Sequence, residues 1–381
     1  MICVNQNVRH GCFGTKKMFK NTYNGKKVLI TGHTGFKGSW LVSWLLQIGA
    51  QIVGVSKDIP TRPSLFECLN LKDQIKHYFL DIQDDLALIK VIMEEKPDFI
   101  FHLAAQAIVS SSYKEPIGTI GSNVLGTASV LEALRLSEHP CTAVLITSDK
   151  AYDNIEQIWG YKENDALGGK DIYSGSKGAA ELIIKSYFES FFKSSNCLVR
   201  IGIARAGNVI GGGDWAKDRL VVDAMLAWRD REKVQVRSPN STRPWQHVLE
   251  PLSGYLQLGC ELVNNPLLHG ESFNFGPKAD QDRTVLQLLD ACKDYWDLSA
   301  EEAYEVKKSG TFNEAVMLRL NCDKALSILN WQANLDFDET VKFTSEWYYC
   351  FYHGGDIQEK TLLQLEKYKE LARTRNLSWM A

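Results

Sequence analysis

Tyr173 and Lys177, in the run Ile172-Tyr-Ser-Gly-Ser-Lys177, stand four residues apart and so share one face of a helix. An ammonium beside a phenol favours the phenolate, and the pair can then take a proton from an alcohol. Alone, a Tyr/Lys pair of this kind is also a common solvated feature of helices. Upstream, Thr147-Ser148 closes an apolar segment and supplies the hydroxyl that an alcohol-oxidising site needs. Asp149-Lys150 follows directly, adding an acid and a base at the mouth of the same strand. That is equipment for removing water, against the ordinary alternative of a solvated ion pair at a strand end. Its position just behind the hydroxyl residue favours the chemical reading.

A second cluster has the residues for a phosphate. Ile30-Thr-Gly32-His-Thr-Gly35-Phe-Lys-Gly38 leads from a short apolar strand into an apolar helix. Its glycines permit a tight turn and close approach of a pyrophosphate, which the first amides of the helix then face. Asp81-Ile82 ends the third strand, where Asp81 is either an acceptor for an adenine amine or a turn carboxylate. Beyond strand two, Asp58 suits a ribose hydroxyl while Lys57 or Arg62 suits a 2′-phosphate, so NAD and NADP both stay open locally. His33 either touches phosphate or packs locally, and His102, inside an apolar strand, reads as a structural histidine. Arg205, Asn208, Arg219 and Arg243 punctuate the later sequence, and arginines can grip a diphosphate bidentately. The eight histidines and nine cysteines form no metal-ligand spacing, so no metal is assigned.

Strands at 27–30, 51–55, 76–82, 98–103, 143–147 and 198–204 alternate with helices at 38–48 and 84–95, a long helix ending near 136, and the helix carrying Tyr173. This alternation predicts an α/β fold with a doubly wound parallel sheet and ligands at the strand carboxyl ends. After residue 208 the pattern breaks up, and Ser272–Phe275 reads as a strand returning to the sheet. The expected division is a disordered leader over 1–24, with Met18 a candidate start. A dinucleotide-binding domain covers 25–207 with 245–277 returning to it, and a smaller mixed lobe for the substrate covers 208–244 and 278–381. Residues 357–375 read as a charged, solvated surface helix. A chain of 381 residues, 45% hydrophobic, can bury a large core, and a net charge of -3 implies no general attraction to nucleic acid or anionic membrane. The most apolar stretch, 40–55, is interrupted by Gln47, Gly49 and Gln51, against a membrane span. Scattered cysteines, odd in number, suit reduced thiols and a cytoplasmic location.

Together these residues resemble the extended short-chain dehydrogenases/reductases that act on nucleotide sugars, the NAD-dependent epimerase/dehydratase family. The resemblance runs from Lys26 to Pro277. It rests on Gly32-His-Thr-Gly-Phe-Lys-Gly-Ser-Trp40, Pro63-Ser-Leu-Phe-Glu67, His102-Leu-Ala-Ala-Gln106, Asn123-Val-Leu-Gly-Thr127 and Thr147-Ser-Asp-Lys150. More specific still are Trp159-Gly-Tyr161 and the two long tryptophan-containing blocks at 205–215 and 243–255.

The resemblance implies a Rossmann-type sheet, a bound NAD reduced and reoxidised within one turnover, CDP-glucose as substrate and a homodimer formed by helices flanking 113–136 and 177–193. Tyr173 with Lys177 would oxidise C4 and Ser148 would hold its oxygen. Lys150 as base and Asp149 as acid would then expel the C6 hydroxyl, and hydride would return to C6. The implied cofactor set is Gly32, Thr34, Gly35, Phe36, Lys37, Gly38, Asp81, Ile82, Ala104, Tyr173 and Lys177. The implied substrate set is Asn123, Asn208, Arg219, Arg243 and His247. Lys150 stands where the dTDP-glucose branch usually has glutamate, and Ser110 stands where an arginine is expected after Val109. A 4-epimerase would use the same loop and Tyr/Lys pair without needing Asp149-Lys150. A nonenzymatic dinucleotide sensor commonly lacks the tyrosine or the lysine.

Overall fold

The computed structural model describes residues 18–194, 196–278, 281–307 and 318–381. Its strands in chain order are β1 (Lys27–Thr31), β2 (Gln51–Ser56), β3 (Lys76–Phe79), β4 (Phe99–His102), β5 (Cys141–Ile146) and β6 (Val199–Ala206). Short strands follow, β7 (Val209–Ile210), β8 (Val234–Val236), β9 (Thr242–Arg243) and β10 (Gln246–His247), then β11 (Ser272–Phe275), β12 (Arg283–Thr284) and β13 (Tyr304–Val306). The helices are α1 (Phe36–Gln47), α2 (Leu65–Cys68), α3 (Asp85–Glu95), α4 (Val109–Lys114), α5 (Pro116–Ile120), α6 (Gly126–Leu136) and α7 (Ile172–Tyr187). The second half adds α8 (Leu220–Arg229), α9 (Leu249–Asn264), α10 (Val285–Lys293), α11 (Ala300–Ala303), α12 (Asp323–Leu329), α13 (Phe337–Tyr352) and α14 (Ile357–Thr374).

Seven strands form one sheet in the order β11-β6-β5-β4-β1-β2-β3, and every pair is parallel. The chain starts at β1, winds outward to β3, then crosses back to β4. This reversal opens a crevice at the carboxyl ends of β1 and β4, the usual ligand position in such sheets. The expected doubly wound sheet is therefore present, and Ser272–Phe275 joins it beside β6. Side chains alternate across the strands. Leu29 joins a core with Val130, Leu131 and Ile184 under α6 and α7, while Val28 and Ile30 join one with Trp40, Trp44, Leu252 and Leu256 under α1 and α9. Burial on both faces explains why the strands read as nearly unbroken apolar runs.

Three expectations need correction. The long helix ending near 136 is instead α4, α5, a π-helical turn at Gly121–Leu125, and α6. The break before Pro116 has a steric cause, since a proline drives the preceding residue out of helical geometry, and Glu115 has φ -131°. The charged helix α14 is solvated on one side only, because Leu365, Tyr368 and Ala372 are fully buried. Tyr368 packs on Trp44 of α1 at 5.6 Å between ring centroids, and Lys369 Nζ donates to Gln47 Oε1 at 3.0 Å. Glu250 at the start of α9 accepts from the amides of Asn334 and Leu335 at 2.7 and 2.8 Å. Thus α14 packs against α1, and the segment before α13 is tied to α9.

The third correction concerns the leader. Phe19 and Tyr23 are fully buried. The Phe19 ring stacks on Trp379 at 5.4 Å and meets Trp44 at 5.9 Å, and the Tyr23 hydroxyl donates to the Leu256 carbonyl at 2.6 Å. Phe19 and Tyr23 therefore anchor residues 18–24 to the core, whereas 1–17 lie outside the described residues. Phe19→Ala is expected to cost about 3–5 kcal/mol in chemical denaturation, as for other buried aromatics. A Phe19→Ala protein as stable as the parent would return this segment to the leader.

Candidate active site

The loop after β1 is shaped by crowding. Gly32 has φ 79°, and a Cβ there would lie 2.8 Å from the Ala104 amide nitrogen. A Cβ on Gly38 would lie 2.1 Å from the Gly32 carbonyl oxygen, so only glycine lets α1 start this close to the loop. Gly35 caps α1 with no side-chain bond, and the first turn contains no acid. Its amides are left for an anion, the arrangement a dinucleotide pyrophosphate requires. Thr34 Oγ1 donates to the Asp58 carbonyl at 2.7 Å, and the Ala104 amide donates to Thr31 Oγ1 at 3.2 Å. These bonds hold the loop against the ends of β2 and β4, and Phe36 reaches across to Gly211.

The neighbouring candidates separate by burial. Asp81 accepts from the Gln83 amide at 3.0 Å, as a turn carboxylate does, and Ile82 is buried. His33 packs locally, its Nδ1 2.9 Å from Ser56 Oγ, and burial pushes its pKa down to about 4. His102 is structural, bracketed by the hydroxyls of Thr31 and Thr127 at 2.7 and 3.0 Å and held neutral by burial, near 3. Lys37 reaches beyond the loop. Its ammonium lies 5.9 Å from the Tyr255 ring centroid, and burial, reinforced by the Arg219 and Lys177 cations, lowers it to about 8.

At the end of β5, Ser148 caps the turn Asp149–Ala151. Its hydroxyl accepts from the Lys150 amide at 3.2 Å and donates to Asp149 Oδ1 at 2.9 Å. The helix α7 begins at Asp171, whose carboxylate accepts from the Ser174 amide at 3.0 Å, and this start delivers Tyr173 to the same place. Ser148 is near enough to Tyr173 to favour its phenolate, and Lys150 Nζ lies 5.7 Å from the Tyr173 ring centroid. Asp149, Tyr173 and Lys177 are all buried. Burial raises Asp149 above the usual carboxylate range, against the pull of the Lys150 charge. It lowers Lys177 to about 8, with Glu181 acting the other way. The expected low phenol pKa is not produced by the chain alone. Burial pushes Tyr173 up to about 12, because a phenolate would lose more hydration than its neighbours restore.

Asp149 Oδ2 faces Gly207, where a Cβ would stand only 3.2 Å away, so glycine keeps the space before the acid open. Beside it lies a cavity of about 220 Å³ lined by Gly207, Gln246, Trp159, Pro244 and Arg319. Asn208 is exposed next to it. Arg219 stands at the start of α8, paired with Asp214 at 3.2 Å and close enough to Tyr173 and Lys37 to affect their charge. Arg243 on β9 is directly opposite Arg283 on β12. Arg283 was not singled out in the sequence, because only that antiparallel pairing sets it beside Arg243.

Three candidates have partners within the fold. His247 is fully buried between Trp40 and Phe343 at ring distances of 6.0 and 5.5 Å, and so packs the core instead of facing a substrate. Asn123 is also buried. Its amide group donates to Ser176 Oγ at 2.8 Å and the Gln106 carbonyl at 3.1 Å, and its oxygen accepts from the Gln106 amide at 2.8 Å. It braces α7 and so supports the active site. Arg205 grips a carboxylate, that of Glu181, within the core. At the departure from the resemblance, Ser110 Oγ donates to Asp218 Oδ2 at 2.6 Å. Among the described residues no group of His, Cys, Asp and Glu is placed to hold a metal ion.

The chain is similar to the CDP-glucose 4,6-dehydratase of Salmonella typhimurium, with 43% identity over 341 residues, 89% of this chain and 94% of that protein. A UDP-glucose 4-epimerase of Halalkalibacterium halodurans shares 24% over 87% of the chain and 98% of its own length. Among solved structures, a dTDP-glucose 4,6-dehydratase of Streptomyces venezuelae, with NAD bound, superposes with a TM-score of 0.74 at 19% identity, covering 87% of this chain and 99% of that one. The GDP-mannose 4,6 dehydratase family model matches residues 29–344. That span takes in the glycine loop, the Ser148–Lys150 turn, the Tyr173/Lys177 helix and the arginine pair together, and the chain belongs to the GDP-mannose 4,6 dehydratase family.

Proposed function

We propose that this chain binds NAD and converts CDP-glucose to CDP-4-dehydro-6-deoxyglucose and water. The observation that carries the reading is the Asp149-Lys150 pair, set by Ser148 against the Tyr173 ring in a buried site. The similarity to the Salmonella typhimurium enzyme supports the choice of sugar nucleotide. The cradle at Gly32–Gly38 fits a dinucleotide, since Gly32 and Gly38 admit no side chain and the first turn of α1 has neither a side-chain cap nor an acid. The chemistry NAD supplies when bound is hydride uptake at C4 and its return at C6.

The chain's residues do the rest. Ser148 holds the C4 oxygen and Tyr173 takes its proton, with the Lys177 cation stabilising the phenolate. Once C4 is a ketone, its neighbour C5–H is acidic, and Lys150 removes that proton. Asp149, whose hold on a proton burial strengthens, donates to the C6 hydroxyl as it leaves. Arg219, and Arg243 with Arg283, hold the diphosphate. Arg243→Ala is expected to raise KM with little change in kcat, because such contacts are equal in ground and transition states. Steady-state kinetics in which kcat alone falls would move Arg243 into the chemistry.

The exposed apolar side chains Tyr113, Ile117, Leu125 and Leu182 on α4–α7 support a homodimer through this face. Ile117→Glu is expected to sediment as a monomer; an unchanged mass would remove the face from the interface. The free cysteines among the described residues support a cytoplasmic location. The 4-keto-6-deoxy product suits later conversion to deoxyhexoses of surface polysaccharides such as O-antigen.

The deciding experiment incubates the purified protein separately with CDP-, dTDP-, GDP- and UDP-glucose and follows loss of water by mass spectrometry. Dehydration of CDP-glucose without net consumption of NAD is the expected result. An epimerised sugar of unchanged mass, or NAD consumed in proportion to product, would overturn it.

A further inference from the structure

Glu181 lies one turn beyond Lys177 on α7, is buried, and has no part in the chemistry above. Its Oε1 accepts from Thr147 Oγ1 at 2.6 Å and from Arg205 Nε at 2.7 Å, and its Oε2 accepts from Arg205 Nη2. A guanidinium has five N–H donors. Those of Arg205 are all engaged, the remainder going to the Tyr152 hydroxyl at 2.7 Å, the Glu163 carbonyl at 3.0 Å and Ser272 Oγ at 3.4 Å. The Tyr152 hydroxyl in turn donates to Asn274 Oδ1 at 2.8 Å. Asn274 Nδ2 reaches the carbonyls of Tyr161 and Asn321 at 2.9 and 3.0 Å.

The members of this network are sequence neighbours of the reacting groups. Thr147 immediately precedes Ser148, Tyr152 comes two residues after Lys150, and Glu181 four after Lys177. The network therefore joins α7 to the carboxyl end of β5, to β6 and to β11. Stability alone is a poor reason for it, because well-packed apolar residues often replace a buried ion pair without loss. What apolar packing lacks is direction. Hydrogen bonds that leave no donor unused admit one arrangement of the elements, and small errors of placement are expensive for proton transfer.

We propose that Glu181 is a positioning residue. Through Thr147 and Arg205 it sets α7 against the ends of β5 and β6, and so sets Tyr173 and Lys177 against Ser148. It touches neither sugar nor dinucleotide. The inference rests on the reading of Tyr173 and Lys177 as the pair that oxidises C4, and needs neither the loss of water nor the identity of the nucleotide.

Two sets of variants test it with CDP-glucose and NAD. In Thr147→Val the ion pair stays and only the link to β5 is lost, whereas Thr147→Ser keeps the hydroxyl. The double variant Glu181→Met/Arg205→Met removes both charges and fills the space. The double variant is expected to melt at or above the wild-type temperature, with kcat for C4 oxidation about 100-fold lower and KM unchanged. Thr147→Val is expected to lose about tenfold in kcat alone, and Thr147→Ser to recover it. Wild-type kcat in either altered protein, a loss appearing equally in KM, or a double variant that melts well below the wild type would overturn the proposal. A wild type that oxidises C4 yet releases no water would leave this inference intact and remove the dehydratase reading.

Discussion

Tyr173→Phe is expected to lower the rate of C4 oxidation by about 10²–10⁴, the usual loss when a general base is removed. The phenol is the acid on α7 beside Ser148, and the change deletes one oxygen while leaving the ring beside Lys150. Burial holds the phenol at about 12 in the chain alone, so the proton can be taken near neutral pH only with cations nearby. Lys177 is one such cation, although burial brings it down to about 8. Lys177→Met is therefore expected to slow the same step. The measurement is rapid mixing of CDP-glucose with the NAD-loaded protein, followed by the absorbance of the reduced nicotinamide. A Tyr173→Phe protein that reduces its cofactor within about tenfold of the parent rate would exclude the phenol as the base.

Lys150→Ala is expected to separate the two halves of the reaction. Cofactor reduction on mixing with CDP-glucose should survive, while solvent deuterium no longer enters C5 and no dehydrated sugar is released. Asp149→Asn should keep the C5 exchange and slow the loss of water. The sign of its pH dependence follows from the raised Asp149 pKa. The acid must carry a proton to donate one, so water loss is fully supported below that pKa and declines as pH rises through it. In Asp149→Asn this decline should disappear from the slow residual rate. If Lys150→Ala dehydrated CDP-glucose at the normal rate, the base would lie elsewhere and the dipeptide would be a strand-end ion pair.

Much of this site was legible because its parts are local. Tyr173 and Lys177 share a helix face by spacing alone, Ser148, Asp149 and Lys150 are contiguous, and Gly32, Gly35 and Gly38 follow a strand and open a helix. The alternation of strands and helices likewise announced a doubly wound sheet before any contact was known. Other features depended on partners far away in sequence. Arg205 looked like a diphosphate ligand until Glu181, on another element, claimed it, and His247 looked like a sugar ligand until Trp40 and Phe343 closed around it. Arg283 meets Arg243 only because β12 folds back on β9, and Phe19 is core only because Trp379, at the far end of the chain, stacks on it. Periodicity and motif spacing express the geometry of a single helix, strand or turn, so the sequence by itself determined the elements and the chemistry each can offer. Burial and pairing are properties of the assembled fold, and only the tertiary structure decided which polar residues face the cleft, which hold the elements around it, and how far burial shifts the acid, the phenol and the ammonium.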